Sequence, residues 1–329
     1  PLIRRIALCC RGPFWNPISN SQLTIEGEHP MGRILSFGSL NLDYVYHVPH
    51  FVAPGETLAP TSRALNCGGK GLNQSIAAAK AGAQVFHAGK IGPDGQILAD
   101  MLSSSGVDVS LLSRSEGPTG HAIIQVDPSG QNCILLYGGS NQEITQEEVD
   151  RALAQFGPGD QIILQNEINN LAYIMEQAAK RGISVVFNPS PMDEAISSLP
   201  LHLVSLLVLN EIEGAALAGT QDEEAILPIL REKFPQCRIL LTLGSRGSVY
   251  DDGTQRIRQG AYRANAVDTT AAGDTFTGYF VAASAAGMPI EECLSLAAKA
   301  AAIAVSRPGA APSIPVMEEV RSCQLPLSC

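Results

Sequence analysis

The feature that most restricts the fold is a set of short runs that are apolar from end to end. QIILQ (161–165), SVVFNP (184–189), LVSLLVL (203–209) and ILLTL (239–243) lack the in–out alternation of a half-exposed strand. Segments with helical spacing separate them, such as the amphipathic stretch at 170–181. Strands buried on both faces that alternate with helices require a mostly parallel sheet covered by helices on each side. The rhythm starts upstream, with strand-like RILSFG (33–38) and VFHAGKIG (85–92) and a helical pattern at 95–105. With 329 residues, 45% hydrophobic and 16% charged, the chain can bury the core of one large α/β domain.

Two stretches break the rhythm. Residues 44–65 mix β-branched and aromatic residues with Pro49, Pro54, Gly55 and Pro60, a pattern of short strands and turns. TGHAIIQV (119–126), the turn DPSG and NCILLY (132–137) read as a hairpin. Two β-only pieces inserted between α/β units predict a small sheet standing off the main domain as a lid.

Polar residues gather at the strand ends, where open α/β sheets hold ligands. Asn41 and Asp43 follow the first strand and suit vicinal hydroxyls; the alternative is an Asx turn closing that strand. CGGKGLNQ (67–74) precedes a strong helix former, and its glycines permit close backbone approach to a ligand. It is not a Walker A loop, since Gly follows Lys70. Glu167 lies just beyond the strand at 161–165. Asn210 and Glu213 stand three apart where a helix opens. They suit either the water shell of Mg²⁺ or an N-terminal cap. The richest stretch is VDTTAAGDTFTG (267–278), where small residues surround two carboxylates ahead of an Ala-rich helical pattern. The N–H groups of Ala271, Ala272 and Gly273 at a helix start can cradle an anion, with Asp274 beside it to take a proton. Transfer of phosphate to an alcohol needs that pairing; the plain alternative is an acidic cap on a packing helix.

The formal charge of −10 argues against a general binder of nucleic acid or anionic membranes, and no apolar run reaches transmembrane length. The eight cysteines form no CxxC pair, so reduced thiols and a cytoplasmic protein are expected. Residues 1–30 read as an N-terminal extension, disordered or non-native, and a poor signal peptide.

Taken in order, GSLNLD (38–43), PGET (54–57), GGKGLNQSIAAAKAGA (68–83), NEIE (210–213), TLGSRG (242–247), DTTAAGDTFTG (268–278) and AVSRPGAAPS (304–313) resemble the ribokinase-like (PfkB) carbohydrate kinase family. The resemblance implies a three-layer α/β/α domain over 31–320 with a β lid from about 44–66 and 118–138, followed by a tail at 321–329. It implies ATP-dependent phosphorylation of a sugar, with D-ribose at O5 as the first choice and deoxyribose, a ketohexose or a nucleoside as alternatives. Asp274 would be the base, with Ala271, Ala272 and Gly273 as the anion hole. Asn41, Asp43, Gly69, Lys70, Asn73, Glu167 and Asp274 would surround the sugar. Asn210, Thr242, Gly244, Ser245, Gly247 and Gly273 would meet the nucleotide, with Glu213 joining Asn210 around Mg²⁺. A K⁺ ion would sit at Asp268, Thr270, Ala304, Arg307, Gly309 and Ser313, several of them acting through carbonyls. Paired lids would make a homodimer. Ala298 departs from the Asn or His that the family often has near adenine. A non-catalytic sugar sensor would be expected to lose Asp274 or Gly273. A dinucleotide oxidoreductase would need a glycine fingerprint that is missing here.

Overall fold

Strand runs and helical patterns assemble into two sheets in the computed structural model, which describes residues 32–328. The expected extension at 1–30 lies outside the described residues. In chain order the strands are β1 (Ile34–Phe37), β2 (Asn41–His47), β3 (Ser62–Gly68), β4 (Val85–Ile91), β5 (Asp108–Arg114), β6 (Gly120–Val126), β7 (Asn132–Tyr137), β8 (Gln161–Gln165), β9 (Ser184–Asn188), β10 (Leu206–Asn210), β11 (Arg238–Thr242), β12 (Ser248–Asp251) and β13 (Arg256–Gln259). The helices are α1 (Lys70–Lys80), α2 (Gln96–Ser104), α3 (Gln146–Leu153), α4 (Leu171–Lys180), α5 (Glu211–Ala218), α6 (Glu223–Lys233), α7 (Ala272–Ala285), α8 (Ile290–Val305) and α9 (Met317–Ser322).

The large sheet runs β13-β12-β11-β10-β9-β8-β1-β4-β5. Every pairing from β11 through β5 is parallel, and β12 and β13 close one edge antiparallel. Successive strand residues enter opposite layers, as the pleat demands. On β8, Ile163 packs with α1, α7 and α8, while Ile162 and Leu164 pack with α3 and α4. This is the three-layer α/β/α fold. The antiparallel edge, β12 and β13, was not read from the sequence. The expected strand at 203–209 begins only at Leu206, because a short 3₁₀ turn takes Leu201–Leu203.

The second sheet runs β3-β2-β6-β7. One correction concerns Asn41 and Asp43. They do not sit in a loop or an Asx turn closing β1, but on β2 of this smaller sheet, paired with β3 and β6. The chain turns between β1 and β2 within 38–40, so the smaller sheet begins earlier than 44 and carries these two side chains to the site. Its apolar residues Ile134, Leu135, Leu136 and Tyr137 on β7 are exposed.

α1 and α7 bring the rest. Gly278 lets them touch, since a Cβ there would lie 2.5 Å from Ala77 Cβ and 2.7 Å from the Gln74 carbonyl oxygen. Gly69 enters α1 at φ 97°, with the Ser39 carbonyl oxygen 2.8 Å from where a Cβ would be, so glycine is required there.

Candidate active site

Residues at the carboxyl ends of β8, β9, β10 and β11 face the first turns of α1 and α7, beside the point where neighbouring strands depart from β1 in opposite directions. A cavity of about 240 Å³ lies there, walled by Lys70, Asn188, Asn210, Glu213, Ala271, Ala272, Gly273 and Asp274, among others. Ala271 caps α7 in the left-handed region (φ 59°), a conformation that costs a non-glycine residue roughly 1–2 kcal/mol. Past that bend Ala272, Gly273 and Asp274, the first residues of α7, line the cavity. The Ala272 N–H is held by the Thr269 carbonyl at 3.3 Å, whereas those of Gly273 and Asp274 have no backbone acceptor among the described residues. A Cβ on Gly273 would meet nothing within 4 Å.

Asp274 is buried yet faces this cavity. Its carboxylate accepts from Asn73 Nδ2 at 3.0 Å and Gln74 Nε2 at 2.9 Å. An amide chain extends behind it: Gln165 Nε2 donates to Gln74 Oε1 at 2.8 Å, and Asn188 Nδ2 donates to the Val208 carbonyl at 2.9 Å and Glu213 Oε2 at 3.4 Å. Asn73 Oδ1 is buried without a protein partner and is thus available to a ligand. Gln74, Gln165 and Asn188 were not singled out from the sequence. For Gln165 and Asn188 the signal available was a polar residue ending an otherwise apolar strand; Gln74, inside α1, offered none.

Next to Asp274, Glu167 Oε2 accepts from the Lys70 backbone N–H at 3.1 Å and from the Ser39 hydroxyl. Burial pushes the Glu167 carboxyl above its ordinary range, against the pull of Lys70 and Ser39. Asp274, with help from Glu167 and Glu213, holds the Lys70 ammonium above its ordinary value despite burial. Asp43 is pushed up to about 7 by burial, with the Glu167 charge adding to it. Its carboxylate lies over Gly68, where a Cβ would fall 2.0 Å from Asp43 Oδ2. Asn41 is fixed by Asn141 Nδ2, which donates to Asn41 Oδ1 at 2.8 Å. Lys70 and Asp274 of the cavity wall are thus joined by hydrogen bonds and charge to Asn73, Glu167 and, through Glu167, Asp43, with Gly69 against Asn41; this is the polar recess.

Across the α7 N-terminus lies a second cleft of about 380 Å³. Thr242, Thr269, Ala272 and Gly273 line both spaces. The turn residues Gly244, Ser245 and Gly247 form one wall, and Ala261, Ala264, Ala266, Ala298, Ala301 and Ala302 form much of the rest. Ala298, the departure noted above, is part of this apolar wall.

Asn210 and Glu213 form a reciprocal cap on α5: Glu213 N–H donates to Asn210 Oδ1 at 2.8 Å and Asn210 N–H to Glu213 Oε2 at 3.0 Å. Both still border the cavity, so the cap and a ligand role coexist. Among the described residues no group of three or more His, Cys, Asp or Glu is arranged as a metal site. Oxygens of Asn210, Glu213 and Asp274 beside the turn at 271–273 fit Mg²⁺, which keeps most of its waters and takes phosphate oxygens. Of the remaining residues the structure joins Asp268, Thr270 and Gly309. Asp268 accepts from Thr270 N–H at 2.9 Å and Gly309 N–H at 2.9 Å, and its carboxyl is held below the usual range by these bonds against burial. The Arg307 guanidinium is turned to Glu319 at 2.8 Å, and Ser313 Oγ donates to the Ala310 carbonyl. With that cation drawn away, the Asp268 carboxylate and the Thr270 hydroxyl beside it are oxygens of the hard type that suits K⁺; no hydrogen bond joins Ala304, Arg307 or Ser313 to them among the described residues.

Fold and site together define a three-layer α/β phosphotransferase with an alcohol group as acceptor. Residues 31–317 match the pfkB family carbohydrate kinases, and the chain belongs to that family. A ribokinase of Haemophilus influenzae is 36% identical over 293 residues, covering 86% of this chain and 95% of the relative. The structure of an Arabidopsis thaliana ribokinase complexed with ribose and ATP is 30% identical, with a TM-score of 0.80 over 88% of this chain and 97% of that one. A ribokinase from Cryptococcus neoformans var. grubii serotype A in complex with ADP is 34% identical, with a TM-score of 0.77 over 88% and 99%.

Proposed function

We infer that this chain transfers the γ-phosphoryl group of ATP to O5 of D-ribose, giving ribose 5-phosphate and ADP. One observation carries the reading: Asp274 and the first residues of α7, whose Gly273 and Asp274 N–H groups have no backbone acceptor among the described residues, line one cavity at the wall shared with the Ala-lined cleft. The polar recess takes the sugar, where Asn41, Asp43, Gly69, Lys70, Asn73 and Glu167 satisfy its hydroxyls. The cleft takes the nucleotide, with Asn210, Thr242, Gly244, Ser245 and Gly247 toward its phosphates. Asp274 accepts the proton of the attacking hydroxyl as the new oxygen–phosphorus bond forms and the bond to the ADP oxygen breaks. Asn73 and Gln74 hold the carboxylate in place for that transfer. At the Ala271, Ala272 and Gly273 turn, these free N–H groups of Gly273 and Asp274 donate to the oxygens on which charge develops. Asn210 and Glu213 would hold Mg²⁺, which would supply charge neutralisation on the phosphates, and the Asp268 loop would hold K⁺, which would supply a fixed positive charge behind the turn. The smaller sheet covers the sugar and keeps out water, a competing acceptor.

The exposed apolar strand β7 supports pairing of two copies through their smaller sheets, so a homodimer is expected; a monomeric mass by light scattering at micromolar concentration rejects it. Small-molecule substrates and the net charge of −10 support a cytoplasmic enzyme without a nucleic-acid or membrane partner; no helix of the described residues is long and apolar enough to cross a membrane. A coupled ADP-release assay tests the acceptor, using ribose, deoxyribose, a ketohexose and nucleosides. Ribose should give the highest kcat/KM, and a higher value for another acceptor overturns the choice of sugar.

A further inference from the structure

The segment that runs from β13 to the α7 turn, residues 260–271, forms no helix or strand before α7, yet it supplies Ala261, Tyr262, Ala264 and Ala266 to the cleft wall. Its downstream end is fastened to the end of α8, where Val267 N–H donates to the Val305 carbonyl at 2.7 Å. Its upstream end is fastened by the last described residues of the chain. Leu327 makes an antiparallel bridge with Tyr262. Arg263 N–H donates to the Pro326 carbonyl at 2.8 Å, and Ser328 N–H donates to the Ala261 carbonyl at 2.7 Å. Tyr262 is braced on its other side by α8, with its hydroxyl 2.9 Å from Ser295 Oγ and Lys299 Nζ 5.4 Å from its ring centroid.

We propose that residues 326–328 are a strap that positions the Ala261–Tyr262 part of the cleft wall and so sets the affinity for the nucleoside triphosphate. The inference rests on the reading of the Ala-lined cleft as the nucleotide site. A wall already ordered in the free protein spares the nucleotide the entropy of ordering it. Residues 326–328 make none of the bonds described in the sugar recess. Their loss therefore raises KM for ATP and leaves KM for ribose in place.

Two variants remove the strap to different extents. Ser328→Pro deletes one donor with the chain otherwise intact, and a truncation after Leu325 deletes both hydrogen bonds while keeping the Leu325 contact with the core. KM for ATP should rise about two- to ten-fold per lost hydrogen bond, with kcat, KM for ribose and the thermal midpoint nearly constant. An unchanged KM for ATP in both variants overturns the strap. So does a parallel rise of both KM values with a lowered midpoint, since that marks a general loss of packing. Ala301→Phe, which fills the cleft, separates the two levels of the argument. If a folded Ala301→Phe leaves KM for ATP unchanged, the nucleotide reading of the cleft falls. If it raises KM while the strap variants do not, the strap alone falls.

Discussion

On one side of the α7 N-terminus Lys70 and Asp274 wall the cavity, backed by Asn73, Glu167 and Asp43; on the other the walls are mostly alanine, from Ala261 to Ala302. A sugar offers hydroxyls in fixed directions, and each buried hydroxyl left unpaired costs about 1–3 kcal/mol, so its recess needs directional partners. A purine offers a flat apolar face, for which burial against small side chains suffices and a charge would bring a desolvation cost. The polar side accordingly holds shifted ionisable groups, while the apolar side depends on shape. The N-terminus of α7 borders both, because Ala272 and Gly273 line the two spaces.

The contrast can be broken most directly at Asp274. Asp274→Ala should lower kcat by roughly two to four decades with the fold retained, and near-normal turnover in a folded variant removes the base from the mechanism. Gly273→Ala is next. The added methyl meets no protein atom within 4 Å, so the thermal midpoint should hold, while kcat/KM for ATP falls about 100-fold as the phosphoryl group is displaced. A drop in midpoint with normal kinetics would mean that the open space there belongs to packing.

Asp43 sharpens the polar side. Its value of about 7 means that the accepting carboxylate is lost as pH falls through that range. KM for ribose should rise about ten-fold for each unit below that value, and Asp43→Asn should flatten the profile; an unchanged profile in Asp43→Asn assigns it to another group. For folding the sign reverses. Between the ordinary carboxylate value and about 7, the folded state keeps a proton that the unfolded chain has released. This group's contribution to stability is therefore full at low pH and is lost as pH rises to about 7. Asp43→Asn should raise the thermal midpoint at about pH 8, by ~2–4 °C for each kcal/mol of relieved burial cost. The smallest effect belongs to the apolar side. Ala301→Ser should change KM for ATP by less than about three-fold, since a helical serine hydroxyl can bond to its own preceding turn. A loss as large as that at Asp43 would end the contrast.

The layers of the large sheet were legible because residues such as Ile162 to Leu164 are apolar on both faces, a pattern few other environments tolerate. The glycine stretches around Gly69 and Gly273 were legible because each enters a helix with small residues. β12 and β13 were harder to read, since a short antiparallel edge leaves little periodicity in SVYD and RIRQ. The strand position of Asp43 and the amide chain behind Asp274 were hidden for a different reason. Gln74, Gln165 and Asn188 come from three separate elements, and nothing in their spacing relates them.

By itself the sequence determined most of the parallel strands of the main sheet, the likeness to a kinase family, and the glycine-bearing turn that opens α7, because these depend on local periodicity and on short runs of residues. Only the tertiary structure decided that Asn41 and Asp43 ride on the smaller sheet, that Asn73 and Gln74 hold Asp274, and that the end of the chain backs the cleft wall. Those arrangements join residues tens to hundreds of positions apart, as the 200-residue separation of Gln74 and Asp274 illustrates. Contacts of that kind exist only once the helices have packed, and the close approach at Gly278 that permits them is a property of two surfaces together.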